Sequence, residues 1–282
     1  MNRRLSTRLL LVLTIGFLGN VDLSGTARGM QSQRVMLSVD AFVESAAKGY
    51  LPAVQSGLSA GIDPNSADQY GTTALMAASL EGHDEVVQAL LEHGTDVNGR
   101  SKGWRVATLS LRLRDSSSPY SGLYPRCGTG TKEEIKKIEA TDKLGITPLM
   151  ASAFGGHARI VQILVERGAD IEARSFESFT PLMFAVASDR AEVVKLLIAK
   201  GADLTVAAVD RQSLIVVASC DRGRPFSLRL LLDAGADPNT QNKYGHTPLM
   251  GASYANAIGI IRTLLFTREI SSDYDVGLSA MA

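Results

Sequence analysis

The apolar positions between Gly145 and Ile171 (GITPLMASAFGGHARIVQILVERGADI) fall into two blocks bounded by turn-forming residues, which predicts two short antiparallel helices. Pro148 inside a helix would cost about 3 kcal/mol, but at the first helical position its cost nearly vanishes. The first helix therefore begins at Pro148, with the Thr147 hydroxyl as N-cap. Gly155 and Gly156 end it, since glycine enters the left-handed conformation without a Cβ penalty. In the second block Ile160, Val161, Ile163, Leu164 and Val165 form an apolar face, and Gly168 stops the helix. Leu149 and Leu164 are the expected core positions. Helices this short do not hold in isolation, so each needs neighbours of the same kind.

The chain supplies them. GTTALM at 71–76, GITPLM at 145–150, SFTPLM at 178–183 and GHTPLM at 245–250 share one pattern. Thr147-Pro148, Thr180-Pro181 and Thr247-Pro248 mark the same helix start. A second motif, Gly-x-Asp, recurs at Gly61, Gly94, Gly168, Gly201 and Gly235, with successive spacings of 33, 74, 33 and 34 residues. The long interval is one period plus 41 residues. Fixed-period self-similarity of this length is the signature of a repeat stack.

These phased motifs resemble the ankyrin repeat. The resemblance is carried by the TPLM segments, by Gly82-His83 and Gly156-His157 between helices, by the VVQALL and IVQILV second helices, and by the GAD closures. It implies an all-α solenoid of about six helix-turn-helix repeats joined by finger loops, with one 41-residue insertion between repeats 2 and 3. Repeats 1 and 2 occupy 38–100, the insertion 101–140, repeats 3 to 6 residues 141–266, and a tail without repeat signature, expected disordered or loosely docked, 267–282. The first unit lacks TPL, as a capping repeat does. The fifth replaces TPLM with Gln212-Ser213-Leu214-Ile215 and carries a short insertion around Arg222–Arg224. The sixth has Gly259 within its second helix, at a cost of up to about 1 kcal/mol relative to alanine, and is expected to be the softest.

Within the insertion, Val106–Arg114 alternates apolar and polar residues and predicts a short strand. Residues 132–139 predict a helical turn or two, with Thr131 and Glu134 at capping-box spacing. A degenerate seventh repeat is the alternative, although no TPL or GAD is present there. A loop this long is functional or disordered.

Residues 1–27 are of another kind. Arg3, Arg4 and Arg8 precede an apolar run, Leu9 to Leu18, and then LSGTARG, the order of a secretory signal peptide. The run is half the roughly 20 residues that span a bilayer. We expect cleavage after Ala27 and export to the periplasm or the extracellular space. Cleavage removes three arginines and Asp22, taking the formal net charge from zero to −2. Retention of the segment would instead make a membrane-tethered adaptor.

With 45% hydrophobic and 21% charged residues and no net charge, the chain is foldable and lacks the basic balance that nucleic-acid binding needs. Cys127 and Cys220 are too few for a disulfide framework or a cysteine zinc site, and their pairing stays open. None of the four histidines, His83, His93, His157 and His246, has a partner at metal-ligand spacing. No GxSxG or SxxK motif is present, and the glycines fall at repeat phase instead of in a phosphate loop. The Gly-x-Asp carboxylates recur once per unit, which suits turn capping better than paired acid-base chemistry. We expect no catalytic residues, no cofactor and no metal.

In ankyrin-like stacks the fingers and first helices line the concave face, where partners bind. The finger tips here are read as Asp68, Gln69 and Tyr70; Asp142, Lys143 and Leu144; Phe176, Glu177 and Phe179; Asp210 and Arg211; and Asn242, Lys243 and Tyr244. Tyr70, Phe176, Phe179 and Tyr244 are the expected protein contacts, because exposed aromatics bury much area at little entropic cost. The competing reading packs them on neighbouring fingers. Trp104 opens the insertion and is expected to pin it to the stack, with partner contact as the other role. The reading is therefore a non-catalytic scaffold, monomeric, that binds another protein. An enzyme using the insertion is the third alternative, weakened by its lack of histidine and its only four acids.

Overall fold

The computed structural model describes residues 37–69, 71–101, 145–175, 178–208, 213–219, 224–242 and 244–266. The expected signal peptide, the strand at 106–114, the turn at 132–139, both cysteines and the tail lie outside them.

The described residues hold twelve helices in six hairpins. Unit 1 pairs α1 (Val39–Ala47) with α2 (Leu51–Ser59), and unit 2 pairs α3 (Ala74–Glu81) with α4 (Asp84–Glu92). Unit 3 consists of α5 (Pro148–Gly155) and α6 (Ala158–Glu166), and unit 4 of α7 (Pro181–Ala187) and α8 (Ala191–Ala199). Unit 5 has α9 (Leu214–Ser219) and α10 (Pro225–Asp233), and unit 6 has α11 (Pro248–Tyr254) and α12 (Ile258–Leu265).

The helix starts follow the sequence reading. Thr73, Thr147, Thr180 and Thr247 are N-caps whose hydroxyls accept the backbone N–H three residues on. Pro148, Pro181 and Pro248 take the first helical position, where no N–H is missed. In the degenerate fifth unit the register moves by one residue from the sequence reading: Ser213, and not Gln212, takes the threonine place and accepts from Val216 N–H at 3.4 Å, which puts Val216 in the methionine place.

The inner first helices are about two turns long and gain their stability by being enclosed, and their apolar composition matches that need. Every residue of α5 from Pro148 to Phe154 is buried, and α3, α7 and α9 are enclosed likewise. The second helices are amphipathic and bury one stripe each; in α6 this is Ile160, Val161 and Leu164. Leu149 and Leu164 are both fully buried. One continuous apolar core runs from Phe42 to Ile260.

Two polar ladders tie successive units together. His83 Nε2 lies 2.9 Å from the Ala47 carbonyl of unit 1, and His157 Nε2 lies 2.9 Å from the Leu80 carbonyl of unit 2. A carbonyl only accepts, so each ring nitrogen donates. Arginine takes over the position further on: Arg190 Nε donates to Phe154 O at 3.1 Å, and Arg224 Nε to Ala187 O at 2.7 Å. The glycine beneath each histidine has two reasons to be glycine. Gly82 adopts φ +88°, and a Cβ there would lie 2.4 Å from the His157 ring.

The second ladder uses the Gly-x-Asp closures. Asp63, Asp96, Asp170, Asp203 and Asp237 each accept the backbone N–H two residues on. Side chains at that second position then accept from the aspartate N–H of the next unit: Asn65 from Asp96, Asn98 from Asp170, and Glu172 from Asp203. Gly168, Gly201 and Gly235 precede these closures with φ near +90°.

Candidate functional site

The fingers are short hairpins with a recurring base. Asp68 N–H donates to Thr72 O, and Asp68 Oδ1 accepts from Thr72 N–H. Ser175 pairs with Phe179 in the same way, and Asn242 with His246. In each, the residue that closes the tip has positive φ: Gly71 at 76°, Ser178 at 62° and Gly245 at 77°.

Ser101 and Ile146 form the same base. Ser101 N–H donates to Ile146 O, and Ile146 N–H donates to Ser101 Oγ, both at 3.0 Å. Gly145, at φ 62°, occupies the tip-closing position. The two partners are 45 positions apart where other finger partners are four apart. The extra chain is thus inserted at one finger tip, and its ends are held side by side. Ser101 belongs to the finger and not to the insertion, so the boundary read from sequence moves by one residue. The C-terminal end of the extra chain reaches Leu144.

The stack is continuous beneath it. α3 and α5 make the most extensive helix-helix contact among the described elements. Asn98 Nδ2 donates to Gly168 O at 3.2 Å, and Arg159 pairs with Asp84 at 3.2 Å.

This geometry changes the set of tip aromatics. Phe179 is a base residue, 5% exposed, and its ring packs on Phe184 with centroids 6.0 Å apart. It is occupied in the core and is withdrawn as a contact residue. The residue directly before the N-cap threonine points inward elsewhere too: Thr72 and Ile146 are each 2% exposed. The signal was its fixed place one residue before each Thr-Pro or Thr-Ala. Tyr244 is a true tip residue, 40% exposed, with its ring tilted beside His246. Tyr70, Phe176 and Trp104 lie outside the described residues, as do Asp142, Lys143, Leu144, Glu177, Asp210, Arg211 and the lysine at 243.

The histidines and closure aspartates described in the stack have structural partners. His83 and His157 bridge units, His93 Nδ1 lies 2.8 Å from Ala89 O, and the closure aspartates cap turns. Thr205 donates its backbone N–H and its hydroxyl to Asp203, holding that carboxyl below its ordinary value. Among the described residues no group of three or more histidines, cysteines or acids is placed to hold a metal ion. No described helix is long and apolar enough to cross a membrane.

Phased helical hairpins with fingers of common construction define a helical-repeat stack of the interaction-scaffold type. The chain belongs to the ankyrin-repeat family: a model of that family, with three repeat copies, matches residues 42–115 and 128–208. Ankyrin repeats are protein–protein interaction modules.

The chain is similar to ankyrin repeat protein YahD of Escherichia coli strain K12, with 30% identity over 159 residues, 45% of this chain and 79% of that protein. It is 29% identical over 182 residues to Ankyrin repeat and SAM domain-containing protein 6 of Danio rerio, 55% of this chain and 25% of the relative. It is also 31% identical over 153 residues to the E3 ubiquitin-protein ligase XBAT33 of Arabidopsis thaliana, 47% of this chain and 30% of the relative. The chain thus spans about a quarter to a third of those two longer relatives.

Proposed function

We propose that this protein is a non-catalytic scaffold that binds a partner protein along its concave finger and first-helix face, with the extended finger between units 2 and 3 as part of the contact. The observation that carries this reading is the finger base at Ser101 and Ile146. It presents 43 residues, 102–144, at a tip where other fingers present two, without opening the stack behind them. A stiff scaffold with one enlarged tip is suited to recognition by surface complementarity. His83 and His157 are committed between units and the closure aspartates to capping their own turns, which favours binding over turnover. Ligase activity in a relative belongs to a protein of which this chain matches less than a third.

Tyr70→Ala combined with Tyr244→Ala should weaken partner capture while leaving the helical circular dichroism and melting profile unchanged. Recovery of the same partner at unchanged yield would refute the assignment of those tips.

The apolar run at 9–18 and the three arginines before it support export to the periplasm or beyond, where the partner would be met. The intact mass of protein from the native host decides it. A mass lacking residues 1–27 supports a cleaved signal, and the full mass supports the membrane-tethered alternative.

A further inference from the structure

Unit 6 carries the residues of an inner unit at an end where no further described unit covers them. The methionine of the TPLM motif shows this in register. Met76, Met150 and Met183 are fully buried, and Val216, which replaces it in unit 5, is 2% exposed; Met250 is 55% exposed. Leu75, Leu149 and Leu182 are at most 1% exposed, against 36% for Leu249. Leu80, Phe154 and Ala187 are at most 1% exposed, against 76% for Tyr254. On α12, Ile258 and Leu265 are 66% and 58% exposed, and with half-buried Ile261 they follow i, i+3, i+7 spacing along one stripe.

At roughly 200 Å² per fully exposed side chain of this size, these fractions amount to on the order of 600 Å² of apolar surface. That is the upper end of what the largest apolar patch on a monomer covers, roughly 300–600 Å².

We infer that this end of the stack is a homodimer interface, covered by the same face of a second copy. Two such faces together remove on the order of 1,200 Å², the lower bound of a standard stable interface. The opposite end explains why the pairing is face to the same face. Along α1, Asp40, Glu44 and Lys48 are exposed, with Glu44 and Lys48 ion-paired, so the described surface of α1 is charged where that of unit 6 is apolar, a poor match for head-to-tail stacking. A molecule with one apolar end closes as an isologous pair. Self-repulsion is small, because Arg262 is the lone Lys, Arg, Asp or Glu among the described residues of unit 6. The inference stands independently of what the fingers bind. It replaces the monomer expected from sequence, and it gives the assembly two finger faces.

The test is sedimentation equilibrium by analytical ultracentrifugation of the full chain, the Met250→Glu, Tyr254→Glu double variant and a chain stopped after Phe266. The full chain and the shortened chain should sediment as dimers at micromolar concentration. The double variant should sediment as a monomer with unchanged circular dichroism, its dissociation constant raised at least about 100-fold by two carboxylates buried at each face. Since both side chains are exposed in the single chain, their replacement does not disturb its own core. A monomeric full chain overturns the inference, and a dimer only in the shortened chain would mean that residues 267–282 cover the face instead. A dimer that survives the double variant also overturns it.

Discussion

Replacing residues 102–144 with the dipeptide Gln-Tyr, the tip found at positions 69–70, should stabilise the stack. The finger base at Ser101 and Ile146 already has the bonding of the short fingers, so the shorter tip closes on existing geometry. Closing a flexible loop costs three-halves of RT times the logarithm of its length, and the span between base partners falls from 44 residues to three. That roughly fifteen-fold shortening is worth about 2.4 kcal/mol, or about 5–10 °C in melting temperature for a stack of this size. Circular dichroism melts and urea titrations of parent and variant measure it. A third protein, with 102–144 replaced by a Gly/Ser segment of equal length, should melt with the parent if only loop length matters. A two-residue-tip variant that fails to fold, or melts below the parent, would refute the reasoning. Residues 102–144 would then contribute packing that the finger base does not require.

The remaining expectations concern the stack itself. Leu149→Ala and Leu164→Ala, both at fully buried positions, should each cost about 2–5 kcal/mol in urea unfolding. A loss under about 1 kcal/mol would mean that unit 3 does not share the core. Gly82→Ala should cost about 2 kcal/mol or more, since it adds left-handed strain and drives a Cβ into the His157 ring; an unchanged melt would remove the close approach from the account. For Asp203, whose folded carboxyl is held low chiefly by the Thr205 N–H, the closure bonds contribute above the unfolded aspartate value. They are lost as pH falls through the lower folded value, and a carboxyl NMR titration midpoint at or above that of free aspartate would contradict this.

Much of the stack was legible because its signals are local. A threonine followed by proline fixes a helix start by itself, and a glycine with positive φ fixes an end, so the hairpins containing Thr147, Pro148, Gly156 and Gly168 fall where their spelling puts them. The 41-residue excess was legible for the same reason, as an interruption of phase. Side-chain direction at the finger was harder. Nothing in the identity of Phe179 says that its ring is at the base of the finger and not at the tip. The answer comes from the hydrogen bond between Ser175 and Phe179, a tertiary feature of the hairpin. Ser101 was misplaced for a related reason, since a serine carries no sign that its hydroxyl will accept from a residue 45 positions away. The exposed Met250 was hidden by its own motif. The TPLM spelling is the same in an enclosed unit and at an end, and only the presence of a following helix decides burial.

The histidine and arginine bridges all point one way: the side chain of each later unit reaches back to a carbonyl of the unit before it. The acceptor is therefore always made earlier in synthesis than its donor. As the chain leaves the ribosome, each of these histidine and arginine struts finds its acceptor already synthesised. That order suits vectorial growth, in which each new hairpin docks on those already made. Under mechanical load the same directionality runs in reverse. Pulling the last hairpin away removes donors from carbonyls in the last turn of the preceding first helix, which water then takes up, so the array peels from its far end and can re-zip.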